Sequence, residues 1–237
     1  MNAIGVVFIK EIRVLLASPL LYVFWAATAL VVGVLFYLGL SVSPEPNLRV
    51  LTINLGVVNV VLLPLIAMGM FAEEEKQGTL EMLLTVPGSL WRIVMGKYLA
   101  GMLLGSGMLI CSVLCSIVLA WLGTPDWGAI VIALCGQALC LSFCLAVSLF
   151  ASSLTREPLA SGLLAIVFLF PFWIGGRILE GVGISWIQTL VQDLSLMEHL
   201  IPMSKGIFDM TDLLWFVLGT GWFLWLTVQL LEGKRCR

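Results

Sequence analysis

Six long stretches without a single charged residue dominate the pattern along this chain: Val14 to Pro44, Val50 to Ala72, Tyr98 to Pro125, Trp127 to Thr155, Pro158 to Gly176 and Leu213 to Leu231. A helix crossing ~30 Å of hydrocarbon needs roughly 20 mainly apolar residues, and a charge at its centre costs ~2.5 to 3.5 kcal/mol. All six stretches meet that requirement. They lack the apolar/polar alternation of barrel strands, and in lipid a helix satisfies its own backbone hydrogen bonds. The pattern predicts an all-α integral membrane protein with six transmembrane helices, forming one domain over residues 1–237.

The segments between the spans differ in character. Residues 1–18 place Ile4, Val7, Phe8, Ile12 and Leu15 on one helical face and Lys10 and Arg13 on the other. That suits an amphipathic helix at the membrane interface, broken from the first span at Ser18-Pro19. Residues 73–90 leave the second span through Glu73, Glu74 and Glu75. Gly78 interrupts the helix there, Thr79 can cap a new one, and Glu81 in its first turn suits the helix dipole. Leu80, Leu83 and Leu84 then form a stripe that Pro87-Gly88 ends. Such a stripe must be covered, by the bundle itself or by a partner protein.

Residues 177–211 are too long for a tight turn and too interrupted to span. Trp186, Leu190, Val191 and Leu194 give them an apolar face, which predicts short helices in or dipping into the outer leaflet. Inside the spans, Asn54 and Asn59 are candidates to line a pathway or to bond neighbouring helices. Gly101-x-x-x-Gly105, Ser112-x-x-x-Ser116 and the small residues Ala138, Ser142 and Ala146 offer faces for close helix packing.

Composition agrees with the pattern, at 61% hydrophobic and 11% charged residues and a mean hydropathy of +1.11. Soluble domains carry roughly 25% charged residues. The twelve basic residues divide unevenly across six spans. Lys10, Arg13, Lys76, Arg92, Lys97, Arg156, Lys234, Arg235 and Arg237 share the side of the termini, while Arg49, Arg177 and Lys205 lie opposite. The positive-inside tendency then puts both termini in the cytoplasm. The first span exceeds a signal-peptide core and no small-residue cleavage pattern follows it, so it reads as retained.

The six cysteines include Cys111/Cys115 and Cys140/Cys144, each pair on one helix face, but no Cys-x-x-Cys, and the single histidine is His199. Soft-metal transport through these thiols and plain helix packing are both open, and the second needs fewer assumptions. No metal or cofactor is expected on this chain.

The run Glu-x-Lys-x-Gly-Thr-Leu-Glu-x-Leu-Leu-x-x-Pro from Glu74 to Pro87, continuing through Trp91-Arg92-Ile93-Val94 to Gly96-Lys97, resembles the permease subunits of type 2 ABC exporters. It is most similar to the gliding-motility-type branch. Ser195 to Leu200, Lys205 to Asp209, Asp212-Leu213 and Trp215-Phe216 resemble that branch's entry into its last span, and Lys10-Glu11 fits the segment before the first.

The resemblance implies six spans, an interfacial N-terminal helix, a coupling helix between spans two and three, and re-entrant helices before the last span. It also implies two ABC ATPase subunits, a second permease that is identical or related, and a place in the cytoplasmic membrane of a prokaryote. Matched residue by residue, Glu73, Glu74, Glu75, Gly78, Thr79, Glu81 and Pro87 fall in the coupling region, with the Leu80, Leu83 and Leu84 stripe among them. The triple glutamate and the cysteine-rich third and fourth spans depart from the family's usual pattern.

A phosphate-binding Gly-x-x-x-x-Gly-Lys-Ser/Thr is missing, since Gly96-Lys97 has Trp91 in place of the first glycine and Tyr98 in place of the hydroxyl. ATP and magnesium are therefore expected on the partner subunits, with no enzyme activity and no nucleic-acid partner for this chain. Export driven through the coupling loop is the leading expectation. An ATP-powered mechanical or assembly device acting on a partner, with no solute moved, is the alternative.

Overall fold

The computed structural model describes residues 3–42, 49–80, 89–123, 125–178 and 193–235. Among these the protein is wholly helical: α1 (Ala3–Ala17), α2 (Pro19–Val42), α3 (Arg49–Lys76), α4 (Leu90–Leu122), α5 (Trp127–Leu154), α6 (Pro158–Ile178), α7 (Leu196–Ser204) and α8 (Met210–Arg235). All but α1 and α7 are long and apolar enough to cross a membrane. The break between α1 and α2 falls at Ser18, with Pro19 opening α2, where its missing N–H costs nothing.

The core is the pairing of α3 with α5, whose inward faces carry Leu55, Leu63, Ala67, Phe71, Leu141, Leu145 and Leu149, all essentially inaccessible. Glycines let α4 approach this pair. A methyl group on Gly101 would meet Leu145 at 2.9 Å, and one on Gly105 would meet Leu141 at 3.2 Å and Leu63 at 3.3 Å. The Gly-x-x-x-Gly face is thus used inside the chain. Gly107 likewise leaves room for Trp25 of α2, whose indole N–H donates to the Leu104 carbonyl at 3.1 Å.

Around this core α2, α6 and α8 keep broad apolar faces exposed, including Leu30, Tyr37, Leu163, Val167, Leu218 and Trp222. Such surface is expected where the solvent is hydrocarbon. Several hydroxyls within the spans are satisfied by their own helix, whereas the buried side-chain amide of Gln137 has no hydrogen-bond partner among the described residues. The hydroxyls of Ser112, Ser116, Ser148 and Thr227 each donate to the carbonyl four residues back in their own helix. Cys140 and Cys144 are buried, Cys111 and Cys115 half-buried and Cys135 exposed, all as free thiols.

The short α7 is inserted into the bundle. Leu196, Leu200 and Met203 are fully buried, and the close approach is made at Gly136 of α5 and Gly56 of α3. Methyls there would meet Met203 at 2.9 Å and Leu200 at 2.8 Å. Gly206, at φ 80°, turns the chain directly over Ala129 at the start of α5, where even a methyl group would collide with backbone. Of the apolar face expected in this segment, Leu194 is exposed; Trp186, Leu190 and Val191 lie outside the described residues.

Candidate functional site: an ionic hub at the end of α3

α3 ends at Lys76, and the chain turns through Gly78, whose φ of 71° is the left-handed conformation that glycine adopts without strain. The Thr79 hydroxyl donates back to the Glu74 carbonyl at 3.2 Å, fixing the turn. From this helix end three consecutive side chains reach three different parts of the bundle.

Glu74 joins α1 and α4. Its carboxylate accepts from Lys10 at 2.8 Å, and its other oxygen lies 3.0 Å from Lys97 Nζ, in ion-pair contact but out of hydrogen-bond alignment. Lys97 is only 1% exposed and donates to Glu11 of α1 at 2.8 Å and to the Met70 carbonyl, with the Phe71 ring 5.0 Å from its ammonium. Burial pulls the Lys10 ammonium down, but the hydrogen bond and charge of Glu74, with the charge of Glu11, outweigh it and leave its pKa raised. A raised lysine pKa favours the folded state below the ordinary lysine value, and that contribution fades only as pH rises through the raised one.

Glu75 joins α8 and the α5–α6 corner. It accepts from Arg156 at 3.2 Å and from Lys234 near the end of α8, and Lys234 also donates to the Ser153 carbonyl at 2.8 Å. Lys76 reaches Glu157 at 2.9 Å, with both side chains more than half exposed. The Lys76–Glu157 pair adds ~0 to 1 kcal/mol at most, whereas removing one partner of a buried pair costs ~3 to 5. The structural weight of the hub therefore rests on Lys97, Glu11 and Glu74. Because Lys10 and Lys234 both meet this end of α3, the first and last helices share one side of the bundle.

One turn deeper, side chains from neighbouring helices occupy backbone groups of α3. The Ser152 hydroxyl of α5 accepts from the amides of Phe71 at 3.1 Å and Ala72 at 3.2 Å and donates to the Met68 carbonyl at 3.0 Å. It thus stands between Met68 and Ala72, a pair that a regular helix joins directly. Ser161 of α6 donates to the same carbonyl at 3.0 Å. Side chains inserted at an i to i−4 pair are a recognised cause of local bending. Ser152→Ala leaves two buried amides with weakened partners. It is expected to lower stability by ~1 to 3 kcal/mol, read as thermal unfolding of the purified chain, and an unchanged transition would show that the helix closes its own ladder.

The residues expected to form the coupling region separate here. Glu74 and Glu75 are committed to cations of their own bundle, and Glu73 is exposed without an ion-pair partner among the described residues. Leu80 is buried in the bundle's own core, 3% exposed. Glu81, Leu83, Leu84 and Pro87 lie outside the described residues. Asn54 donates to the Val50 carbonyl of its own helix, and Asn59 is sealed between α3 and α5, with Cys140 Sγ at 3.7 Å.

At the opposite end His199 of α7 binds Asp212 of α8 at 2.7 Å through Nδ1 and faces the Asp193 carbonyl at 3.0 Å through Nε2, stacked 4.7 Å from the Trp215 ring. These contacts tie α7 to the start of α8. Sequence reasoning named Lys97, Glu11, His199 and Asp212 within the family's motifs, without their partners, and passed over Ser152. The signal available was the buried stripe of α4, Leu90, Val94, Gly101, Leu104 and Met108, whose helical spacing runs through position 97.

The profile of the family described as ABC-2 family transporter protein matches residues 6–198, which takes in most of α1, α2 to α6, the hub apart from Lys234, and the start of α7. No curated protein matches the chain.

Proposed function

The chain belongs to the ABC-2 family of transporter proteins, and from that premise we propose that it is an exporter permease whose stroke enters at residues 73–90 and spreads through the hub at the end of α3. Membership makes it the membrane-spanning permease of an ABC transporter, a multi-pass protein that works with ABC ATPase subunits. The proposal adds a pathway for the force. The observation that carries it is the convergence of α1, α4, α8 and the α5–α6 corner on Glu74, Glu75 and Lys76, directly before the segment expected to meet the ATPase.

In this reading two ATPases bind ATP and magnesium beneath a pair of permeases, identical or related, in the cytoplasmic membrane of a prokaryote. Both termini face the cytoplasm. Closure of the ATPases displaces the segment after Gly78, and the buried ion pairs make α1 and α4 move with α3 instead of letting α3 slide past them. A switch of this kind needs contacts that differ between its two states, and a charged hub supplies contacts that can be exchanged. The gliding-motility-type branch remains the closest expectation from the coupling motif.

The test uses Leu84→Ser and Glu81→Ala beside Ser43→Ala. Loss of the Leu84 contact is expected to weaken ATPase copurification by tenfold or more, from ~1.5 to 3 kcal/mol of apolar burial. Glu81→Ala should act through the helix dipole alone, by ~0.3 to 1 kcal/mol. Full ATPase binding and transport in both loop variants would remove the coupling assignment.

A further inference from the structure

Between α1, the start of α2, the second half of α3 and Lys97 of α4 lies a half-open cleft of about 410 Å³. Its deep end is apolar, walled by Leu21, Phe24, Leu65 and Ile66. Its mouth is ionic, and there Lys10, Glu11, Glu74 and Lys97 are already engaged with one another. Glu73 also lines the cleft and is the exception, having no ion-pair partner among the described residues.

The Glu73 carboxylate folds back along α3. A methyl group on Gly69 would meet its Cδ and Oε1 at 2.8 Å, and Gly69 lies one turn nearer the membrane centre. The absence of a side chain at position 69 is what lets the carboxylate lie there. It sits where the ionic mouth gives way to the apolar wall, with Leu65 a further turn along the same helix, ~6 Å deeper than Gly69.

These features select the chemistry of an occupant. Two lysines face three glutamates around the cleft, so its uncompensated charge is negative. An anionic head group would add to that charge and be repelled by it, and a bare hydrocarbon would leave it without a counter-charge. A positively charged head on an apolar chain answers both, with the chain covering the deep wall.

We propose that the cleft is a binding site for an amine-headed amphiphile, its ammonium on Glu73 and its hydrocarbon chain along Leu65 and Phe24. The shared chemistry covers two sources, an aminophospholipid of the surrounding bilayer and a free amphiphilic amine. Binding here is a property of the chain alone and stands apart from the transport reading.

The experiment places the full chain in phosphatidylglycerol nanodiscs with photoreactive dodecylamine, and with dodecanol carrying the same photoreactive group. The amine is expected to label at roughly tenfold lower concentration than the alcohol, the factor that one charge-assisted hydrogen bond supplies. Its adducts should map to the peptides bearing Phe24 and Leu65. Glu73→Gln should erase the amine's advantage, and Glu157→Gln, an exposed carboxylate at the same end, should keep it. Equal labelling by amine and alcohol, or an undiminished preference in Glu73→Gln, would overturn the proposal. Replacing part of the phosphatidylglycerol with phosphatidylethanolamine separates the sources: displacement of the label assigns the site to a bilayer lipid, and persistence assigns it to a free amine.

Discussion

Lys97→Met is expected to be among the most damaging single substitutions in the protein, lowering its stability by ~3 to 5 kcal/mol, because it leaves buried carboxylates without their cation. The methionine fills much of the same space, so the loss reports charge rather than volume. Glu74 keeps Lys10 at 2.8 Å, whereas Glu11 retains only the longer 3.7 Å contact to that same lysine. Glu11 is therefore the group left exposed to the penalty. Adding Glu11→Gln to Lys97→Met should recover a large part of the loss, since a neutral amide needs no counter-ion, and this recovery distinguishes an ionic role from general disruption. Thermal unfolding of the purified variants gives the readout. A shift no larger than that of Lys76→Ala, which removes an exposed pair, would mean that water reaches Lys97 and that the hub is held some other way.

The six spans were legible because hydrocarbon imposes one coarse rule, the exclusion of charge over about twenty residues, and that rule survives any detail of packing. The break at Ser18-Pro19 was legible for a local reason, proline's tolerance at the first helical position. Helix ends were less so. The charge-free window of the third span opens at Tyr98, yet α4 begins at Leu90 and carries Lys97 into the protein interior. A window bounded by charge treats every lysine as a limit, and it misses one whose cost is cancelled by carboxylates 86 and 23 residues away in sequence.

The same gap explains the triple glutamate. In the sequence it departs from the family's pattern and sits beside a docking segment, so it invites a role in contacting the ATPase. In the structure its members diverge, because successive helical side chains point about 100° apart. Glu74 is directed to α1 and α4, Glu75 to Lys234 of α8 and to Arg156, and Glu73 back over Gly69. Which helix stands in each direction is a tertiary fact that no local spacing encodes. By contrast, the small residues of α4 were read correctly as a packing face, since a glycine pair one turn apart has few other uses in a span.

Leu80→Ala is expected to destabilise the isolated chain by ~2 to 5 kcal/mol, in the absence of any ATPase, the range for deleting a fully buried leucine side chain. This follows from its position, 3% exposed and within the same core cluster as Leu21, Phe24, Leu90 and Val94. The sequence left open whether the Leu80, Leu83 and Leu84 stripe is covered by the bundle or by a partner, and for Leu80 the bundle covers it. A leucine so anchored just after Gly78 would carry motion of the following segment into the core by direct packing, in parallel with the ion pairs of Glu74 and Glu75. Leu80→Ala should therefore lose both thermal stability and transport, while Leu84→Ser, if its side chain faces the partner, should lose ATPase binding with stability unchanged. Measuring unfolding temperature and ATPase copurification for both variants separates the two positions. An unfolding temperature for Leu80→Ala equal to that of the parent chain, together with lost ATPase binding, would place Leu80 in the partner interface and remove the packed route from the mechanism.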